Sequence, residues 1–189
     1  MKRAEEVTFG GKGGLDRSAH LRADAEALDA AWGAQNAQVL MMWRGKPLCQ
    51  RSDPERGPDA LAWISTTHPV AAECRDAALF LGLLPDQSPA FACDISSWQP
   101  DALDEMALAS FADVTEQQHP DLPSGYAFAE LRRVMTRLTP LEAELAATAK
   151  ALFAWHGSHG FCACYGHPSD MVQAGLQSNF SSCKASHFP

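Results

Sequence analysis

The chain has 189 residues, 46% hydrophobic and 20% charged, which suits one well-buried soluble core with at most a small appendage. Fifteen Lys and Arg against 23 Asp and Glu leave a net charge of −8, which argues against nucleic acid or an anionic bilayer as the main partner. No stretch approaches ~20 uninterrupted apolar residues, and the basic start has no apolar run behind it, so no membrane anchor or signal peptide is expected and the expected compartment is the cytoplasm.

Gly10 to Gly14 reads as a flexible lead-in; it lacks the Gly-Lys-Ser/Thr ending of a phosphate loop, and no apolar strand runs into it. Leu15 to Gly33 then predicts an amphipathic helix carrying Leu21, Leu28 and Trp32 and ended by Gly33. Val39 to Trp43, a turn with Gly45 and Pro47, and Leu48-Cys49 read as strand, turn and return strand. Leu61 to Ile64, Ala77 to Leu84 and Ala90 to Ile95 are further short apolar runs, the last two separated by the turn Pro85 to Pro89. The expected fold class is α+β, an antiparallel sheet with packed helices. Ser52 to Pro58 is a charged loop, His119 a loop histidine before proline, and Trp43, Trp63 and Trp98 pack the sheet or its edge. Phe128, Leu131, Met135 and Leu138 form an apolar stripe that predicts a helix over Tyr126 to Leu138, with Arg132, Arg133 and Arg137 on its solvated flank. Thr139-Pro140-Leu141-Glu142 is a capping box with proline at the first helical position, and its helix should run to about Trp155, burying Leu141, Leu145, Ala149, Leu152 and Phe153.

Beyond that helix the composition turns to Cys, His, Gly and Ser. Such a short tail buries little apolar surface and needs a metal or docking onto the main domain to stay ordered. Of the six cysteines, Cys49, Cys74 and Cys93 are scattered along the sequence, whereas Cys162, Cys164 and Cys183 gather here with His159, His167 and His187. A Cys164 nucleophile paired with His159 or His167 is a conceivable chemistry, but no oxyanion site accompanies it, and bunched Cys and His more often ligate metal.

Trp155-His156-x-x-His159-x-Phe161-Cys162, Gly166-x-Pro168-Ser169, Gly175 and the closing Cys183-x-x-x-His187-Phe188-Pro189 together resemble the linker and zinc ribbon of the NADH pyrophosphatases, Nudix hydrolases that cleave NAD(H) at its diphosphate. The strand pattern and the FAELRRVMTRL segment are similar to that family's N-terminal domain, a degenerate relative of the Nudix fold. The resemblance implies a domain over residues 1–156, a ribbon-like segment over 157–189, a homodimer, and structural zinc. It implies Cys162, Cys164, Cys183 and His187 as zinc ligands and Phe188 as the aromatic that stacks on the dinucleotide.

Two departures qualify it. The family's ribbon has two C-x-x-C knuckles; here Tyr165 and Phe180 stand in the second and third thiolate slots, so three cysteines and one histidine would have to complete a tetrahedral set. The family's chemistry also needs a run of glutamates that holds magnesium or manganese, and the only adjacent glutamates in this sequence are Glu5 and Glu6. No catalytic residue is therefore assigned, enzymatic activity is left open, and NAD(H) is an expected ligand only where a Nudix domain is present. The chain reads as the N-terminal and ribbon part of an NAD(H) diphosphatase. The alternative is a freestanding zinc-ribbon module that binds a protein, because Lys184 is the only Lys or Arg from Gly157 onward and leaves no face for nucleic acid.

Overall fold

A computed structural model describes residues 15–51, 57–101, 115–162, 165–180 and 185–189. Glu5, Glu6, Gly10 to Gly14, most of the Ser52 to Pro58 loop, Cys164, Cys183 and Lys184 lie outside these residues. Asp24 opens helix α1 (Ala25–Trp32), its carboxylate accepting the Ala27 N–H at 3.0 Å, and Gly33 closes it. The expected start at Leu15 is corrected. Asp16 and Leu83 exchange backbone hydrogen bonds, a 3-10 turn spans Ala19–Leu21, and the buried Arg22 guanidinium donates to the Phe80 and Leu81 carbonyls. These contacts to the sheet hold the segment out of a helix until Asp24 supplies a cap.

Strands β1 (Gln38–Trp43) and β2 (Lys46–Gln50) form a hairpin across Arg44-Gly45, both with positive φ, as a two-residue turn between twisted strands requires. The hairpin then splays. The short strands β3 (Ala60–Leu61) and β4 (Trp63–Ser65) pair antiparallel with β2 and β1 respectively, and between them the Ala62 N–H donates to the Leu48 carbonyl. The chain next passes through α2 (Pro69–Ala72) and a 3-10 turn at Arg75–Ala77 to β5 (Leu79–Leu83) at the far edge, and β6 (Pro89–Asp94) returns beside β5. That crossover makes β6 parallel to β1, with Val39 opposite Phe91 and Met41 opposite Cys93. The sheet is therefore mixed, not antiparallel throughout as expected. Strand β1 reads QVLMMW because a strand buried on both faces shows no alternation, and such a run does not reveal the direction of its neighbours.

The expected helix from Tyr126 to Leu138 divides. Tyr126–Phe128 is β7, antiparallel to β2, and only Leu131–Val134 is helical (α3). Phe128 contributes to one sheet face and Leu131 and Leu138 to the other, so the three-residue spacing came from a strand followed by a short helix. Helix α4 (Pro140–Ser158) has the capping box: the Thr139 hydroxyl accepts the Glu142 N–H while the Glu142 carboxylate accepts the Thr139 N–H. Its other carboxylate oxygen accepts the Leu61 N–H at 2.9 Å, tying the helix start to the sheet. Leu145, Ala149 and Leu152 are buried, whereas Leu141 and Phe153 are half-buried.

The sheet is covered on both faces. Leu40, Met42, Leu79 and Leu81 pack under α3 and α4. Val39, Met41, Trp43, Phe80 and Phe91 pack with Trp32 of α1 and Val70 of α2 on the other side. The fold is α+β, and among the described residues no helix is long and apolar enough to cross a membrane.

Candidate functional site

The tail starts where α4 ends. His159 stacks on Trp155 at 5.8 Å, and His156 Nε2 lies 2.8 Å from the Gly175 carbonyl oxygen. Phe161 and Pro168 face each other as an isolated antiparallel pair, the Cys162 N–H donates to the His167 carbonyl, and the Gly166 N–H donates to the Cys162 carbonyl, both at 2.8 Å. Gly166 closes this turn with φ 69°, a left-handed conformation that a residue with a Cβ adopts at a cost. The turn therefore follows from the sequence around Gly166, and it buries Cys162 (4% exposed) while leaving Tyr165 66% exposed. Three short antiparallel strands follow: β8 (Asp170–Val172), β9 (Gln177–Asn179) and β10 (Ser186–His187).

Two of the four residues expected to hold zinc are described, and Cys164 and Cys183 are not. Cys162 is buried in the turn, and His187 lies in β10 opposite Ser178, its ring edge-on to Phe180 at 4.6 Å. Phe180, which the resemblance sets in a thiolate slot, is 1% exposed and gives the small sheet an apolar anchor. The Ser178 hydroxyl is buried with no partner among the described residues. His159 and His167 are exposed, and His159 Nδ1 is within hydrogen-bond distance of both the Ser158 hydroxyl and the Trp155 carbonyl. No group of three or more His, Cys, Asp or Glu among the described residues is arranged to hold a metal. Phe188 lies just beyond β10 and is 67% exposed.

The tail docks on the main sheet through Gly175, which has φ 95°. A Cβ there would stand 2.1 Å from Leu79 Cδ2, so the close approach requires glycine. Leu176 packs toward the α4 side of the sheet, and Ala174 and Met171 line a cavity of about 210 Å³ with Leu28, Trp32 and Phe91 on the α1 side.

Spacing alone gave no sign of a second feature. The Trp98 and His119 rings meet at a tilt, centroids 4.5 Å apart, on the rim of a cavity of about 490 Å³, also lined by Gln99, Gln117, Leu122 and Pro123. The His119 Nδ1 accepts the Asp121 N–H at 3.2 Å. Burial pushes the His119 pKa below its ordinary value, opposed by the carboxylates of Asp121 and Glu73 and assisted by His68. Nothing in the local sequence links a tryptophan and a histidine so far apart, and the pair became visible only through the fold.

The other charged candidates have structural partners. Arg132 pairs with Glu130 at 3.4 Å, Lys150 reaches the same carboxylate at 3.3 Å, and Arg137 donates to the Arg133 carbonyl. On α4, Glu142 serves the cap and Leu61, and the buried Glu144 pairs with Arg17 at 2.6 Å. Neither glutamate is free to hold a divalent cation against a diphosphate.

With a mixed sheet covered on both faces and a small three-stranded tail, the chain has the architecture of a degenerate Nudix-like domain. The family model of the NADH pyrophosphatase-like rudimentary NUDIX domain matches residues 36–155, and the chain belongs to that family. Over 65 residues it is 34% identical to the mitochondrial NAD(P)H pyrophosphatase NUDT13 of Mus musculus, a stretch that covers 34% of this chain. That stretch spans only 18% of the mouse protein, far less than its length.

Proposed function

We propose that this chain is the non-catalytic N-terminal part of an NAD(H) diphosphatase, which supports homodimerisation and frames the dinucleotide site while the hydrolytic carboxylates belong to a Nudix domain. The observation that carries this reading is the family match over residues 36–155 in a sequence whose only adjacent glutamates are Glu5 and Glu6. The commitment of Glu142 and Glu144 to structural partners supports it. Hydrolysis of a diphosphate needs a cation that neutralises charge and generates hydroxide, and this chain offers no carboxylate cluster for that among its described residues. Magnesium or manganese is thus assigned to the catalytic domain. Phe188, exposed beside the tail sheet, suits the stacking role that the family resemblance implies.

Zinc belongs to the same proposal, with Cys162, Cys164, Cys183 and His187 as ligands. Bound there, it would supply ordering energy to a tail with little apolar burial. Incubation of the purified chain with NADH and Mg²⁺ or Mn²⁺ should yield no AMP by chromatography, and EDTA-sensitive turnover that scales with protein would overturn the reading. Light scattering should show a dimer. Elemental analysis should find one zinc per chain, lost on acidification and lost in Cys183→Ser, since thiolate and imidazole ligands must be deprotonated.

One observation favours the second reading, a protein-binding ribbon. Phe161 and Phe188, each 67% exposed, and Tyr165 at 66% put large aromatic surface on a short tail.

A further inference from the structure

Cys74 and Cys93 stand 19 residues apart in sequence, on different elements, and the fold makes them neighbours. Cys74 precedes the 3-10 turn at Arg75–Ala77, and Cys93 is the penultimate residue of β6. The Cys93 thiol is directed at the Cys74 carbonyl oxygen, with Sγ 3.9 Å from it. Their surroundings differ. Cys93 is fully buried, whereas Cys74 is half-buried and has its Sγ 3.2 Å from the Val70 carbonyl. We propose that Cys74 and Cys93 form a redox dithiol that closes to a disulfide when Cys74 reacts with a hydroperoxide.

The roles follow from placement. A nucleophilic sulfur must be reached from solvent and must be the thiolate, and Cys74 alone of the two is accessible. The neighbouring Cys93 side chain holds the Cys74 pKa below the ordinary thiol value, and Cys74 together with burial pushes Cys93 up. The Cys74 thiolate attacks the distal oxygen of the hydroperoxide, the O–O bond breaks, and the leaving alkoxide or hydroxide takes a proton from solvent. Cys74 is then a sulfenic acid. The Cys93 sulfur attacks the Cys74 sulfur, the S–O bond breaks, and the Cys93 proton leaves with the hydroxyl as water. In sum, two thiols and one hydroperoxide give one disulfide, one alcohol (or water) and one water, with the thiols oxidised and the peroxide reduced.

The bond would tie the β4-to-β5 crossover to β6 in the sheet interior. It would act one residue from Glu73, whose charge reaches His119 at the rim of the larger cavity. Cys49 supplies an internal control: it too is fully buried, its sulfur faces the Pro47 carbonyl at 3.5 Å, and burial with the nearby glutamates pushes its pKa up to about 12.

The test treats the full chain with hydrogen peroxide, blocks remaining thiols with N-ethylmaleimide and maps peptides without reduction. Tryptic cleavage after Arg75 puts the two cysteines on separate peptides. The expected product is one linked pair, Cys74 with Cys93, lighter by two hydrogens and reopened by dithiothreitol, with Cys49 still alkylated after denaturation. Cys93→Ser should stop the reaction at a Cys74 sulfenic acid that dimedone traps, and Cys74→Ser should leave Cys93 unoxidised. Linkage of Cys74 or Cys93 only to Cys162, Cys164 or Cys183 would overturn the proposal. So would oxidation of Cys74 no faster than of Cys49, or loss of dimedone trapping in a folded Cys93→Ser variant.

Discussion

The sheet domain and the tail are built on different amounts of apolar material. The sheet lies between two clusters that bury Trp43, Phe80, Phe91 and Phe128 and most of β1, β5 and β6. From residue 159 onward the buried described residues are only Cys162, Gly175, Ser178 and Phe180, and the other three aromatics, Phe161, Tyr165 and Phe188, face solvent. Hydrophobic burial alone therefore explains the order of the sheet, whereas the tail meets the main domain at a few points, Gly175 on Leu79, the His156–Gly175 hydrogen bond and Leu176, with Phe180 packing only within the tail against His187. That difference is why a bound ion would matter to the tail and not to the sheet.

The largest expected effect tests the sheet side of this contrast. Phe91 is buried with Trp32 edge-on at 4.9 Å and Phe80 at 5.2 Å, so Phe91→Ala removes a ring from a site that neighbouring aromatics cannot close. Destabilisation of about 3–5 kcal/mol is expected in urea titration. Phe180→Ala should instead leave the main urea transition in place and increase hydrogen exchange only in β8 to β10. If the two variants shifted the main transition equally, the tail would be part of the same cooperative unit.

The docking contact gives a smaller, local effect. Gly175→Ala combines a left-handed φ with a Cβ that collides with Leu79, so either the tail lifts or Leu79 rotates. A cost of roughly 1–3 kcal/mol is expected, read as increased exchange in β8 and β9 with α4 and the sheet unchanged. Unchanged exchange in the tail would show that Leu176 and the His156 hydrogen bond hold it without the close approach at Gly175.

What the sequence revealed divides the same way, between local and distant causes. The start of α4 was legible because Thr139, Pro140 and Glu142 act within one turn, and the β1–β2 hairpin because Gly45 punctuates two short apolar runs. The parallel pairing of β1 with β6 was not, since it depends on a crossover through α2. Tyr126 to Phe128 reads as helix because a buried residue at the end of a strand, Phe128, falls three positions before the first buried residue of a short helix, Leu131, and so imitates a helical stripe. At the site level, the tail motifs pointed to the family because their spacing is local, whereas Cys74 with Cys93 and Trp98 with His119 are joined only by the fold. Cys164 and Cys183, which decide the metal question, lie outside the described residues.

The smallest effect concerns the sheet domain's own cavity and is read through pH. Burial against Trp98 chiefly lowers the His119 pKa, with the carboxylates of Asp121 and Glu73 pulling the other way and His68 adding to the downward shift. Its folded pKa lies below the unfolded value of 6.5. Between the two values the unfolded chain binds the extra proton, so stability rises with pH there. The contribution is therefore complete above the unfolded pKa and is lost as pH falls through the folded one. Urea midpoints followed by far-UV circular dichroism should fall on acidification below about 6.5, and that part of the fall should vanish in His119→Gln, which keeps a polar group of similar size without the titration. A slope that survived His119→Gln unchanged would place the acid sensitivity outside this cavity.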